Sequence, residues 1–124
     1  MAIWAVLAIA AAAFDYEQCG SGKRVTCVVD GDTFWVRGEK VRIVNIDTPE
    51  IQSAKCDAEL RLGHVAAQRL AELLSGGRLY LGRTGFDRNG RTLAYVRVGG
   101  VDLGEVLIAE ELARPWEGKR RNWC

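Results

Sequence analysis

Val28-Val29-Asp30-Gly31-Asp32-Thr33-Phe34-Trp35-Val36, VVDGDTFWV, sets two β-branched or aromatic runs on either side of a glycine flanked by carboxylates. Asp-Gly between apolar runs is a hairpin signal, because glycine takes the positive φ that a two-residue turn between twisted strands requires. Two readings of the carboxylates stay open from this stretch alone: a turn that happens to be acidic, or a cation site built on a turn.

Working outward, Arg24 to Val29 and Thr33 to Val36 read as the strands of that hairpin, and Gly38-Glu39 makes the next turn. Lys40 to Asp47, KVRIVNID, alternates as a third strand, with Val41, Ile43 and Asn45 on one face and Arg42, Val44 and Ile46 on the other; Pro49 ends it. From Ala58 to Ser75, apolar residues at Leu62, Val65, Ala66, Leu70, Leu73 and Leu74 follow the helical period until Gly76-Gly77 stops it. Arg78 to Arg83 and Thr92 to Val98 are strands joined across an Asn89-Gly90 turn, and a short helix is expected around Leu103 to Glu110. Five short strands, with a helix after the third and a short helix near the end, is the order of a partly open OB-fold barrel, a mainly β fold with helices.

The 124 residues are enough for one domain with its own core. With 17 Lys and Arg against 16 Asp and Glu, the whole molecule does not advertise a polyanion partner, so any nucleic-acid binding must be local. Residues 2–14, AIWAVLAIAAAAF, carry no charge. They fall short of the ~20 residues of a membrane-spanning helix but match the apolar region of a signal peptide, without its basic flank. We therefore divide the chain into a signal-like or anchoring segment 1–14, a short disulfide-bearing extension 15–24, and a domain 25–124. Export is expected, to a secreted or periplasmic location or to a membrane surface through residues 1–14. Four cysteines fit such a compartment as two disulfides. Cys19 with Cys27 is favoured because CGSGKRVTC brackets a Gly-Ser-Gly turn; Cys56 then closes on Cys124. No pair has the C-x2-C spacing of a zinc site, and His64, the one histidine, reads as a helix-surface or packing residue rather than a ligand or base.

The chemistry lies at the strand ends. If the meander is right, Asp32 and Asp47 share one edge, where a hard cation of the calcium type would join them through oxygen ligands that include the Thr48 carbonyl. Arg42, on the strand that delivers Asp47, and Arg91, just past the Asn-Gly turn, offer planar forks suited to phosphate oxygens.

These stretches occur together in a recognisable order. VVDGDTFWV, VRIVNIDTPE, GHVAAQRL, DRNGRTLAYV and VDLGEVLIAEELA make the chain resemble the staphylococcal nuclease (thermonuclease) family over roughly residues 25–117. The resemblance implies an OB-fold, calcium-dependent phosphodiesterase that cleaves DNA and RNA with little sequence preference, leaving 3′-phosphate and 5′-hydroxyl ends. Carried over by position, Asp32, Asp47 and Thr48 correspond to the calcium ligands and Asp30 to an acid outside them. Glu50 corresponds to the group that orients or deprotonates water, and Arg42 and Arg91 to the pair on the scissile phosphate. Single-stranded DNA and RNA are the implied substrates, and a monomer is expected. The loop IQSAKCDAELRL departs from the family by carrying Cys56 in place of a lysine-rich stretch. Arg83, Arg88, Lys119, Arg120 and Arg121, with Tyr95, Trp116 and Trp123, are candidates for backbone charge and base stacking. A non-catalytic binding module on the same fold is the alternative; it would have no need of the full set Asp32, Arg42, Asp47, Glu50 and Arg91.

Overall fold

The computed structural model describes residues 15–124; the apolar segment 1–14 lies outside the described residues. Its elements run β1 (Cys27–Asp30), β2 (Thr33–Val36), β3 (Glu39–Ile43), β4 (Ile46–Asp47), α1 (Asp57–Leu74), β5 (Leu79–Phe86), β6 (Thr92–Val98), β7 (Val101–Asp102), α2 (Leu103–Ala109) and β8 (Arg114–Pro115). The main sheet has the order β1-β2-β3-β6-β5, with β7 on β6, and β4 pairs with β8 apart from it. This is the expected α+β OB-fold order, with the helices where the periodicity put them.

The hairpin β1–β2 is antiparallel, with Asp30 opposite Thr33 and Gly31-Asp32 as its turn, and the register shifts between Val28 and Asp30. The reason for Gly31 differs from the one its sequence context suggests. Positive φ is found at other glycines but not at Gly31. A Cβ there would lie 2.8 Å from the Ala66 Cβ on α1 and 3.0 Å from the Thr48 side chain. Close packing therefore demands the glycine: helix α1 and the Asp47–Glu50 segment both press against the turn.

The third strand is shorter than its alternation implied. β3 ends at Ile43, the chain turns at Val44-Asn45, and Ile46-Asp47 leave the main sheet to pair antiparallel with Arg114-Pro115. Two long-range demands break the strand. β3 is claimed by β6 in parallel, Arg42 opposite Leu93, and the Val44 N–H donates to the Ala94 carbonyl at 2.9 Å. Strict alternation fails with it: Val41, Arg42 and Ile43 are all buried, because Arg42 faces a cleft of protein rather than water.

Helix α1 starts one residue before its expected bound, capped by the Cys56 sulfur accepting from the Glu59 N–H, and β5 runs on to Phe86. Its inner face, Ala66, Ala67, Leu70 and Leu74, covers a core that includes Val28, Phe34, Val41, Ile43 and Val96, while Leu103 and Leu107 of α2 close it from another side. Burial of this apolar surface is the main force holding the sheet to the helices. The segment before β1 belongs to the same structure. Tyr16 is buried, edge-on to Phe34 at 6.1 Å, and residues 17–19 bond along Val28. Cys19–Cys27 and Cys56–Cys124 are both disulfides, and among the described residues no cysteine is free. No described helix is long and apolar enough to cross a membrane.

Candidate active site

The hairpin turn, the β3–β4 break and the C-terminal strap meet over one group of carboxylates. Asp32 ends the hairpin turn just before β2, and its side chain is fully buried. Its Oδ1 accepts from the Thr33 hydroxyl at 3.0 Å, and its Oδ2 accepts from the Thr48 N–H at 3.4 Å and pairs with Arg42 Nη1 at 3.2 Å. Burial alone would push this carboxyl up. The adjacent Arg42 guanidinium outweighs it, with help from the Asp30 side chain, Arg120 and Thr33, and holds Asp32 below the usual carboxylate range. Asp30 goes the other way. Burial first, and then the neighbouring Asp32 charge, raise it to about 9, so it keeps its proton at neutral pH while its Oδ1 accepts from the Asp32 N–H at 3.3 Å.

Asp47 and Thr48 are buried at the end of β4. Both Asp47 oxygens are taken by the strap that follows β8: Oδ1 accepts from Arg120 Nη1 at 2.8 Å, and Oδ2 from the Arg121 N–H at 2.9 Å and the Trp123 indole N–H at 3.3 Å. The same Arg120 nitrogen lies 3.5 Å from Asp32 Oδ2 and 2.5 Å from Glu50 Oε2. Three carboxylates thus surround one cationic nitrogen. Glu50 Oε2 is buried and in ion-pair contact, yet at an angle that makes no hydrogen bond. Burial, together with the charges of Asp32, Asp47 and Glu59, raises the Glu50 carboxyl above its ordinary value despite Arg120.

Glu59, which the sequence reading passed over, holds Glu50 in place. It is buried on α1, with Oε2 accepting from the Glu50 N–H and Oε1 from the Lys55 N–H, each at 2.9 Å. Gly63, one turn further along, lets the helix approach, since a Cβ there would stand 2.7 Å from the Glu50 carbonyl oxygen. A carboxylate at the first turn of a helix behind a Pro-terminated loop was the available signal, but it is indistinguishable in sequence from an ordinary helix-capping acid. Glu59→Ala is expected to cost about 1.5–3 kcal/mol, the typical worth of a hydrogen bond to a charged group, and to free the Glu50 loop. Urea denaturation and hydrogen exchange at Glu50 and Lys55 check it; unchanged exchange there would remove Glu59 from this role.

The two expected phosphate arginines border a common cleft of about 270 Å³, together with Asp87, Leu93 and Trp116. Arg42 also donates to the Ile43 and Ile46 carbonyls, and its guanidinium lies 4.9 Å from the Trp116 ring centre. Arg91 is held by Asp87, its N–H and Nε donating to the two carboxylate oxygens at 2.9 and 2.7 Å. A smaller cavity of about 150 Å³ contains Thr48, Glu50, Glu59 and Trp123, and Arg120 borders both cavities. The remaining candidates are not gathered here. Tyr95 is exposed on β6 opposite Gly82, Arg88 and Lys119 are exposed, and Arg83 pairs with Glu39. Arg114, in contrast, stacks on Trp123 at 3.8 Å and stiffens the strap.

The donor set fits a hard divalent cation: Asp32, Asp47 and the Thr48 carbonyl supply only oxygens, and two carboxylates at one edge need a counter-charge. The carboxylates stand around a guanidinium, however, and among the described residues no three acidic, histidine or cysteine side chains are drawn together as a ready metal cluster.

Comparison with known proteins gives the family to which the chain is related. The family model described as staphylococcal nuclease homologue matches residues 40–122. Endonuclease YncB of Bacillus subtilis (strain 168) is 40% identical over 93 residues, covering 69% of this chain and 44% of that protein. Thermonuclease of Staphylococcus intermedius is 33% identical over 107 residues, covering 77% of this chain and 60% of that protein. The SPbeta prophage-derived endonuclease YokF of B. subtilis (strain 168) is 40% identical over 93 residues, which are 31% of its length. The chain thus spans only part of the length of these relatives.

Proposed function

The chain belongs to the staphylococcal nuclease homologue family, and with its site geometry in view we propose that it is a calcium-dependent nuclease hydrolysing phosphodiester bonds of single-stranded DNA and RNA. The observation that carries this reading is the gathering of Asp32, Asp47 and Glu50 around one cationic position, beside a cleft walled by Arg42 and Arg91. A binding module needs no such set.

Asp32, Asp47 and the Thr48 carbonyl would hold calcium, which when bound supplies positive charge to a non-bridging phosphate oxygen and to a nearby water. The protein groups do the rest. Arg42 and Arg91 donate to the phosphate oxygens, where charge grows as the attacking oxygen approaches phosphorus, so their bonds strengthen toward the transition state. A guanidinium has five N–H groups, so each arginine keeps donors beyond its protein partners. Glu50, fixed by Glu59, orients the water and accepts its proton; its raised pKa makes it a better base than an ordinary exposed carboxylate. Asp30, neutral and bonded to the Asp32 N–H, holds the turn without adding charge. As the new bond to phosphorus forms, the bond from phosphorus to the 5′ oxygen breaks, and the departing oxygen takes a proton from solvent, leaving a 5′-hydroxyl and a 3′-phosphate.

We further propose that the chain works as a monomer outside the cytoplasm, exported or anchored through residues 1–14. Its two disulfides and that apolar segment support this reading. The test of function is incubation of purified protein with a single-stranded oligonucleotide in calcium and in chelator. Cleavage in calcium alone, giving fragments whose 5′ ends accept phosphate from a polynucleotide kinase without prior phosphatase, is expected. Cleavage that persists in chelator, or none in calcium, contradicts the proposal.

A further inference from the structure

We propose that the C-terminal strap is an internal competitor for the cation: Arg120 occupies the carboxylate site when metal is absent, and calcium binds by displacing it. This inference rests on the calcium site proposed above.

The strap is fastened at both ends. β8 pairs with β4, putting Arg114 opposite Asp47, and the Trp116 N–H donates to the Asn45 carbonyl at 3.0 Å. At the far end Cys124 is joined to Cys56, the residue that caps α1. Between these points the backbone passes over Asp47, and Arg120 Nη1 enters the acidic group. Asp32 Oδ2, Asp47 Oδ1 and Glu50 Oε2 all face that one nitrogen. Asp32 and Asp47 are the carboxylates a divalent ion would use, and neither the ion nor the guanidinium can sit there without excluding the other.

Tethering makes the competition strong. A group held by a short fastened segment acts at a high effective concentration, where a free guanidinium would be negligible. Calcium then binds only the fraction of molecules with Arg120 withdrawn, and its apparent affinity falls by that fraction. Metal-free protein gains in return, since buried carboxylates with no counter-charge are costly. The arrangement lets the fold form with its acidic site neutralised and makes the active state depend on the calcium concentration outside the cell.

The experiment is a calorimetric titration of calcium chloride alone into the full, disulfide-bonded chain. Wild type is compared with Arg120→Gln, Arg121→Gln and Asp47→Asn. Arg121→Gln removes the same charge one residue away. The Arg121 side chain pairs with Glu117 at 3.2 Å, and only its backbone N–H reaches Asp47. Arg120→Gln is expected to bind calcium at least tenfold more tightly than wild type, Arg121→Gln within threefold, and Asp47→Asn not at all. Equal tightening in both arginine variants would mean general electrostatics and overturn displacement. An unchanged or weaker affinity in Arg120→Gln would overturn it too, with the calcium site intact. Calcium binding retained by Asp47→Asn, or absent from every protein, would instead remove the site itself and the inference with it.

Discussion

Arg91→Lys is expected to lower turnover by about a hundredfold to a thousandfold, the usual cost of removing one donor aimed at charge developing in a transition state. The protein should remain folded, because Arg91 is partly exposed and packs into no part of the core. Asp87 fixes the Arg91 guanidinium through Nε at 2.7 Å, which leaves both Nη groups outside that bond, and Arg91 lines the cleft it shares with Arg42. Lysine keeps the charge but has no second nitrogen for Asp87 to hold, and no planar pair to offer phosphate. Steady-state kinetics across a range of salt separates the possibilities. A loss in kcat supports transition-state stabilisation. Near-native kcat with only an altered salt dependence of KM would mean that Arg91 merely attracts the strand.

Arg42→Ala should instead show first in stability, with a loss of about 3–5 kcal/mol, the range for stranding one partner of a buried ion pair. That is a large share of the ~5–15 kcal/mol that holds a domain of this kind together. Asp32 is fully buried, and its pairing with Arg42 is the main reason its carboxyl stays ionised. Removing the guanidinium also leaves the Ile43 and Ile46 carbonyls short of a donor. The double variant Arg42→Ala with Asp32→Asn should recover most of the loss, since the stranded charge is gone. The pH dependence follows the same logic. A depressed carboxyl stabilises the fold above its unfolded value of about 3.9 and loses that contribution as pH falls through the folded value. Acid sensitivity from Asp32 should therefore shrink in the Arg42→Ala protein. Urea denaturation in chelator checks both. A loss under about 1 kcal/mol, or no recovery in the double variant, would contradict the pairing as the source of stability.

These two arginines also show what is legible in a sequence of this kind. Hairpin, helix and Asn-Gly turn follow from local periodicity and turn chemistry, and VRIVNIDTPE carries Arg42, Asp47 and Glu50 on one short segment. The disulfide pairs followed from a local turn and from elimination. Effects that depend on distant partners were not legible. Gly31 serves packing against Ala66 and Thr48 rather than a positive φ. The strand breaks at Val44-Asn45 because β6 and β8 claim its two halves. Glu59 looked like a helix-start acid until its two loop partners were in view. Arg120 read as tail charge for a nucleic-acid backbone, yet it sits against Asp47, 73 residues away in the chain. Tyr95, a candidate for base stacking, lies on the exposed side of β6.

The most direct test of the central claim is a crystal structure of Glu50→Gln protein grown with calcium and a short single-stranded oligonucleotide. One calcium ion is predicted at about 2.3–2.6 Å from Asp32 and Asp47 oxygens, with a phosphate between it and the Arg91 guanidinium and Arg120 withdrawn from Asp47. A strand bound on another face, or Arg120 still bonded to Asp47 with no ion between the two aspartates, would contradict the account.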